Sequence, residues 1–256
     1  MFSQHQKKGQ VTLFVIISVI LVVILISFVV LKPYILGGSS PVSNPEAYLQ
    51  KCATDSVKKT EDILIKNNLN LNQNFTNFYL YRSEKVPFLC TNYEFYFACV
   101  PQEPSLFLKI QKIIENRAMV DVQNCFNQLK KEFNSQGYTV QDGALSLNVS
   151  LNEKAAIISV FKQFIAKKDE SSISLSNLEF NQPTSLYKLI KTAQTIVNYE
   201  STVCEFNEVN WMMAMHDILI SKFVGSDSTK VYTLKDRYSN EEIKFAIKSC
   251  VLPAGL

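Results

Sequence analysis

Leu145–Phe180, LSLNVSLNEKAAIISVFKQFIAKKDESSISLSNLEF, decides the fold class. Leu145, Leu147, Val149 and Leu151 alternate with polar residues, which is the period-two pattern of a strand with one buried face. A second apolar run extends from Ile157–Ile158 to Ile165, and Ile173, Leu175, Leu178 and Phe180 form a third. The third run slips phase by one residue at Asn177, which predicts a bulge.

Helical patterns flank this block. Upstream, Phe107, Ile110, Ile114, Ala118, Val122, Cys125, Leu129 and Phe133 make one apolar stripe that begins after Pro104–Ser105 and stops at Gly137. Downstream, Thr184–Ser185 opens a helix from Leu186 to about Val203. Around Trp211 neither helix nor strand is favoured. The tail reads as a meander of Ile218–Val224, a Gly225–Ser228 turn, Val231–Leu234 and Ile243–Val251. Near the start, Asn44–Pro45 opens a helix whose apolar face is Leu49, Cys52, Ala53, Val57 and Leu64, ending near Asn67–Asn68. Residues 75–82 and 86–100 read as two or three short aromatic strands with a turn near Thr91–Asn92. Helix, hairpin, helix, strands, helix, strands is an α+β order: about three helices packed on antiparallel sheet(s), not a doubly wound sheet.

Before all of this stands Val11–Leu31, VTLFVIISVILVVILISFVVL, without charge, Pro or Gly. As a helix these residues would reach about 31 Å, the thickness of a bilayer's hydrocarbon core. Residues 1–10 are therefore read as a tail, 11–31 as a transmembrane helix, 32–43 as a Gly/Ser/Pro linker and 44–256 as an α+β domain, either one body or two subdomains, 44–136 and 137–256. Lys7, Lys8 and Lys32 account for the whole net charge of +3, because 23 acidic residues balance the other basic ones. Two of these lysines precede the span, which places the N-terminus in the cytoplasm and the large domain outside.

Cysteine usage agrees with that topology. Cys52, Cys90, Cys99, Cys125, Cys204 and Cys250 all follow the span, an even number that suits an oxidising compartment. Six cysteines allow about 15 complete pairings. Local geometry favours Cys52–Cys125, on the inward stripes of two helices, and Cys90–Cys99, in strand segments joined by a turn. Cys204 and Cys250, at the end of a helix and of the last strand, make the third pair. The sequons Asn74-Phe75-Thr76 and Asn148-Val149-Ser150 are compatible with an outside location.

Lys7-Lys8-Gly9-Gln10-Val11-Thr12-Leu13, running into the apolar stretch, resembles the archaeal class III signal of type IV pilin-like proteins. The resemblance implies cleavage by a prepilin-type peptidase between Gly9 and Gln10, with the apolar helix retained. It covers about the first 31 residues, and Phe14 stands where the family usually has Glu. Pro33 and Gly37–Pro41 also interrupt the long spine that pilins continue beyond the membrane. The wider layout resembles the uncharacterised single-pass proteins of small-genome archaea: a KKGQVT-type start, an anchor, then an α+β domain.

Residues that carry chemistry are few. Beyond the span there is one histidine, His216, set in Met212-Met213-Ala214-Met215 beside Asp217. A lone His builds no two-His metal site, and no HExxH, CxxC, GxSxG or phosphate-binding glycine loop occurs. Asp121, Asp142, Glu179 and Asp236 are scattered along the chain. Three arginines and an even charge balance argue against nucleic-acid binding, which wants a basic stripe.

The richest segment is the aromatic one, Phe75, Phe78, Tyr79, Tyr81, Phe88, Tyr93, Phe95, Tyr96 and Phe97. Phe75, Phe78, Tyr79, Tyr81, Phe95, Tyr96 and Phe97 are the candidates for an interaction surface, against the plainer reading that about half of the rings fill a hairpin's inner face. The expectation is a membrane-anchored surface protein whose disulfide-braced domain binds a protein partner or supports the envelope. No catalytic residue, metal or cofactor is assigned, and membrane lipid meets residues 11–31. A pilin-like subunit cut after Gly9 and an envelope hydrolase without a motif are the alternatives.

Overall fold

In the computed structural model, the structure describes residues 16–23, 43–70, 76–94 and 96–250. The chain divides into two units, residues 1–45 and 46–256. In the first unit, residues 16–23 are helical, with apolar side chains about half exposed. The rest of the Val11–Leu31 run, and the Gly9–Gln10 bond, lie outside the described residues. Among the described residues no helix is long and apolar enough to cross a membrane.

The second unit is α+β. Helix α1, Pro45–Lys66, begins with proline at its first position, where a missing N–H is harmless. It buries Leu49, Ala53, Val57 and Leu64 at helical spacing, together with Ser56, Thr60 and Glu61. Asn68 and Leu69 end it in left-handed conformation, with the Leu69 N–H returning to Leu64 O at 2.7 Å.

Helix α2, Leu106–Ser135, buries Leu106, Ile110, Ile114, Ala118, Val122, Phe126, Leu129 and Phe133. It stops at Gly137, whose φ of +84° a side chain would oppose, and the Tyr138 N–H closes on Phe133 O at 3.0 Å. Helix α3 runs over Leu186–Val203, and a short α4 over Glu208–Ala214 is capped by Asn207 accepting the Asn210 N–H at 2.9 Å. That cap places a helix around Trp211, where the hydrophobic pattern alone was indifferent.

The strands form two sheets. In the first, β1 (Phe78–Tyr81), β2 (Glu84–Thr91), β8 (Ile218–Val224), β9 (Lys230–Asp236) and β10 (Glu242–Lys248) lie in the order β1-β2-β10-β9-β8, with the two-residue β3 (Val100–Pro101) against β2. The meander β8-β9-β10 is antiparallel. The β2–β10 pair is parallel, joining strands far apart in sequence. A two-residue turn at Arg82–Ser83, both at positive φ, closes the β1–β2 hairpin.

In the second sheet, β4 (Thr139–Asp142) and β5 (Ser146–Leu151) pair with successive stretches of the long β6 (Ala155–Lys168), and β7 (Ser171–Pro183) also pairs with β6. The register shifts at the predicted place, since Phe161 faces Asn177 but Phe164 faces Leu175, yet the extra residue is on β6 rather than on β7: Lys162 and Gln163 stand opposite Ser176 alone. Helix α2 covers this sheet, bringing Phe126 and Phe133 within 6 Å of the Phe164 ring. It also serves the backbone of β5: Gln111 Nε2 donates to Val149 O at 2.7 Å, and Glu115 Oε1 accepts the Val149 N–H at 3.2 Å.

Candidate interaction surface and its disulfide frame

The six cysteines form three disulfides, Cys52–Cys125, Cys90–Cys99 and Cys204–Cys250, with Cα separations of 6.6, 5.4 and 5.4 Å. These are the pairs that local geometry favours in the sequence. The first joins α1 to α2, which run antiparallel: Tyr48 Oη donates to Gln128 Oε1 at 3.1 Å and Ser56 Oγ to Asp121 Oδ2 at 2.9 Å. Both sulfurs sit at the flank of the helix pair, half-buried, and Phe126 takes the central position on α2.

The second bridge closes the loop between β2 and β3. Cys90 faces Pro101 and Thr91 faces Val100 across the strand pair, so the bridge sits at the root. The Asn92 N–H donates to Lys248 O at 2.8 Å, the Cys99 N–H to Ser249 Oγ at 3.2 Å, and Ser249 Oγ to Glu200 O at 2.7 Å. The base of the loop is thus bonded to β10 and α3, while its outer part stands clear. Tyr93 and Tyr96 are each 90% exposed and Phe97 is 63% exposed.

The structure separates the aromatic candidates. Tyr96 and Phe97 lie on this loop. Tyr79 and Tyr81 belong to β1 and pack, half-buried, on the cluster of Val86, Val231 and Ala246. The Tyr81 and Phe223 rings are 5.0 Å apart, and Gly225 leaves space for the Tyr79 hydroxyl. Phe78 carries Lys85 Nζ over its ring at 4.7 Å. Phe75 and Phe95 lie outside the described residues. Tyr93, which the sequence placed in the cluster but not among the interaction candidates, is as exposed as Tyr96; alternation gave no sign of this, because a loop has no period.

Beneath the third bridge lies a buried polar network that composition does not reveal. Glu200 is fully buried on α3. Its Oε1 accepts from Tyr232 Oη at 2.5 Å and from the Phe206 N–H at 3.2 Å, and its Oε2 accepts from Lys230 Nζ at 2.8 Å. Lys230 also donates to Cys204 O at 2.5 Å and to Glu205 at 3.0 Å. Burial, then the Glu200 charge, pushes the Tyr232 hydroxyl far above its usual range, so it stays a donor. Glu205 loses some solvation, but hydrogen bonds from Lys222 and Lys230 outweigh this and hold it below the usual carboxylate range. The network fixes the turn in which Cys204, at φ 61°, ends α3 and meets Cys250.

A second buried acid is Glu61, 2% exposed on α1, with Oε1 unpartnered. Burial first and Glu241 second push its carboxyl up to about 8, against the opposing pull of Lys58 and a Thr184 hydrogen bond. Glu241 itself accepts from Ser185 Oγ.

The carboxylates that the sequence left scattered stay apart. Asp121 accepts from Ser56, Asp142 pairs with Lys130 and Lys162, Asp236 accepts the N–H groups of Tyr238 and Ser239, and Glu179 sits opposite Ser159 on β7. His216 is exposed after α4. Among the described residues no group of His, Cys, Asp or Glu is placed to hold a metal ion. Comparison of the chain with protein-family models, with curated proteins and with solved structures finds no match.

Proposed function

We propose that the chain is a single-pass membrane protein. Residues 11–31 anchor it, the N-terminus is cytoplasmic, and the α+β domain works outside as a binding module. The observation that carries this reading is the cysteine inventory: all six form disulfides, and such bridges persist in oxidising compartments rather than in a reducing cytosol. The uncharged run between Lys8 and Lys32 supplies the matching anchor. Binding is preferred to catalysis because the loop closed by Cys90–Cys99 exposes Tyr93, Tyr96 and Phe97, while the buried Glu200 is engaged by Lys230 and Tyr232.

Protease added to intact cells tests the topology. Under this reading it removes the domain beyond about residue 40, and the anchored remnant survives alkaline washing of the membranes. Protection of the domain, or release of the chain by the wash, overturns it.

A further inference from the structure

The triplet Asn148-Val149-Ser150 has a use that neither the fold nor the binding role absorbs. An Asn-X-Ser triplet accepts a sugar when the Asn amide and the Ser hydroxyl are both presented outward and the middle residue is not Pro. Asn74 and Phe75 of the other such triplet lie outside the described residues.

The fold presents Asn148 and Ser150 together. Side chains on β5 alternate between two faces: Leu147, Val149 and Leu151 are buried, while Ser146, Asn148 and Ser150 are exposed. The period of the strand therefore sets the amide and the hydroxyl on one solvent-facing side, with Val149 turned into the core. This is the exposure that a surface loop would otherwise supply.

Asn148 can carry a substituent without loss to the domain. Its Nδ2 donates to Glu115 Oε1 at 3.2 Å. A substituted amide keeps one of its two N–H donors, so that bond survives.

The neighbouring side chains give a sugar something to rest on. In the β5–β6 register Asn148 faces Ser159, while Ser150 faces Ile157 and Ser146 faces Phe161. Ile157 and Phe161 are thus the diagonal neighbours of Asn148, about 7–8 Å away in a sheet of ordinary spacing. Phe161 is 47% exposed, an apolar ring beside the Ser and Asn side chains of β5. The C–H face of a sugar ring covers such carbon and takes it out of water.

Strand pairing fixes the order of events. β6 pairs along the whole of β5, and Gln111 and Glu115 hold the Val149 carbonyl and N–H from the other side. The folded segment has no free backbone to offer a transferase, so transfer precedes closure of the sheet.

We propose, resting on the anchored topology above, that Asn148 is an N-glycosylation site whose glycan lies over the outer face of β5 and β6, beside Ile157 and Phe161. The co-reactant is an oligosaccharide carried on a polyisoprenyl phosphate. Asn148 Nδ2 bonds to the anomeric carbon, the bond from that carbon to the phosphate oxygen breaks, and the leaving phosphate keeps the electron pair. One amide proton is released, and nothing is oxidised or reduced.

The test maps glycopeptides of the full chain purified from the membranes of its native cells. The peptide containing Asn148 is expected to carry a sugar mass. In the same cells Asn148→Gln and Ser150→Ala are expected to lose it, and Ser150→Thr to keep it, because Thr also supplies the hydroxyl. Peptide mapping showing the same three disulfides establishes that the variants are folded. Hydroxyl-radical labelling of Phe161 is expected to rise in the Asn148→Gln chain, where the ring is uncovered. A bare Asn148 in a chain whose domain external protease removes overturns the proposal and leaves the anchor reading standing. Retention of the sugar by Ser150→Ala also overturns it, and unchanged labelling of Phe161 overturns the placement of the glycan. A bare Asn148 in a domain that protease cannot reach refutes the anchor reading, and the proposal falls with it, so the two failures are separable.

Discussion

Lys230 Nζ lies 2.8 Å from Glu200 Oε2, and both side chains are buried between α3 and β9. Tyr232, the Phe206 N–H, the Cys204 carbonyl and the Glu205 carboxylate supply the remaining hydrogen bonds, so the pair is fully satisfied. Removing Lys230 strands the Glu200 charge in a low-dielectric interior, and removing Glu200 leaves Lys230 with Glu205 as its remaining ionic partner. Lys230→Met should therefore destabilise the domain by roughly 3–5 kcal/mol, and Glu200→Leu, which leaves Lys230 paired with Glu205, by less. The double change should be milder than the sum, because it leaves no orphaned charge. Denaturant titration of the single and double variants measures this, and full additivity would refute the coupling.

Glu61 gives the domain an unusual pH dependence. Its carboxyl is held near 8 in the folded chain, by burial and by Glu241, against an ordinary value of 4.5. Between those two values the folded state keeps a proton that the unfolded state has released. Stability should therefore fall as pH rises from about 4.5 to about 8, by several kcal/mol in total, and level off above. Glu61→Gln should flatten that slope and raise the denaturation midpoint at pH 8–9. An unchanged slope in the variant would remove Glu61 as its source.

The three bridges should not contribute equally. Their sequence separations are 73, 46 and 9 residues. Chain entropy then gives about 4.4, 4 and 2.6 kcal/mol for Cys52–Cys125, Cys204–Cys250 and Cys90–Cys99. Paired Cys→Ser variants, compared by denaturant midpoint, check the order. The Cys90–Cys99 variant should be the mildest in stability.

Gly137 should resist replacement for a backbone reason. A Cβ there would meet only the Lys168 side chain, at 3.7 Å, so there is space for it. The φ of +84° is what opposes it, and Gly137→Ala should cost about 1 kcal/mol or somewhat more. A neutral result in thermal denaturation would show that α2 can end in another conformation.

Processing of the N-terminus is open to direct measurement. If the KKGQVT start acts as a class III signal, mass spectrometry of the purified protein should find a mature chain beginning at Gln10. An intact Met1 or Phe2 terminus would leave residues 11–31 as an uncleaved signal anchor.

The helices were legible from sequence because their signals are local. Pro45, Pro104–Ser105, Thr184–Ser185 and Gly137 mark where a helix can start or must stop, and the observed bounds of α1, α2 and α3 follow them. The phase slip at Asn177 and the meander strands were likewise written in neighbouring residues. The cysteine pairs were within reach for a related reason. Each cysteine sits at a recognisable place on its element, and few combinations of those places can meet.

What the sequence by itself determined, then, is an α+β domain behind a 21-residue apolar run, with helices bounded by local start and stop residues and six cysteines available to brace it. The tertiary structure alone decided the parallel pairing of β2 with β10, which joins Phe88 to Ala246 across the chain and follows no local period. It also decided which charged residues go inside. Glu61, Lys162, Glu200 and Lys230 look in sequence like any solvated acid or base, and each is buried only because distant segments supply its surroundings. The same holds for the aromatic segment: sheet closure covers Tyr79 and Tyr81, while the loop held by Cys90–Cys99 leaves Tyr93 and Tyr96 in water. Burial is a property of the assembled chain, because the dielectric and the hydrogen-bond partners around a side chain come mainly from residues far away in sequence.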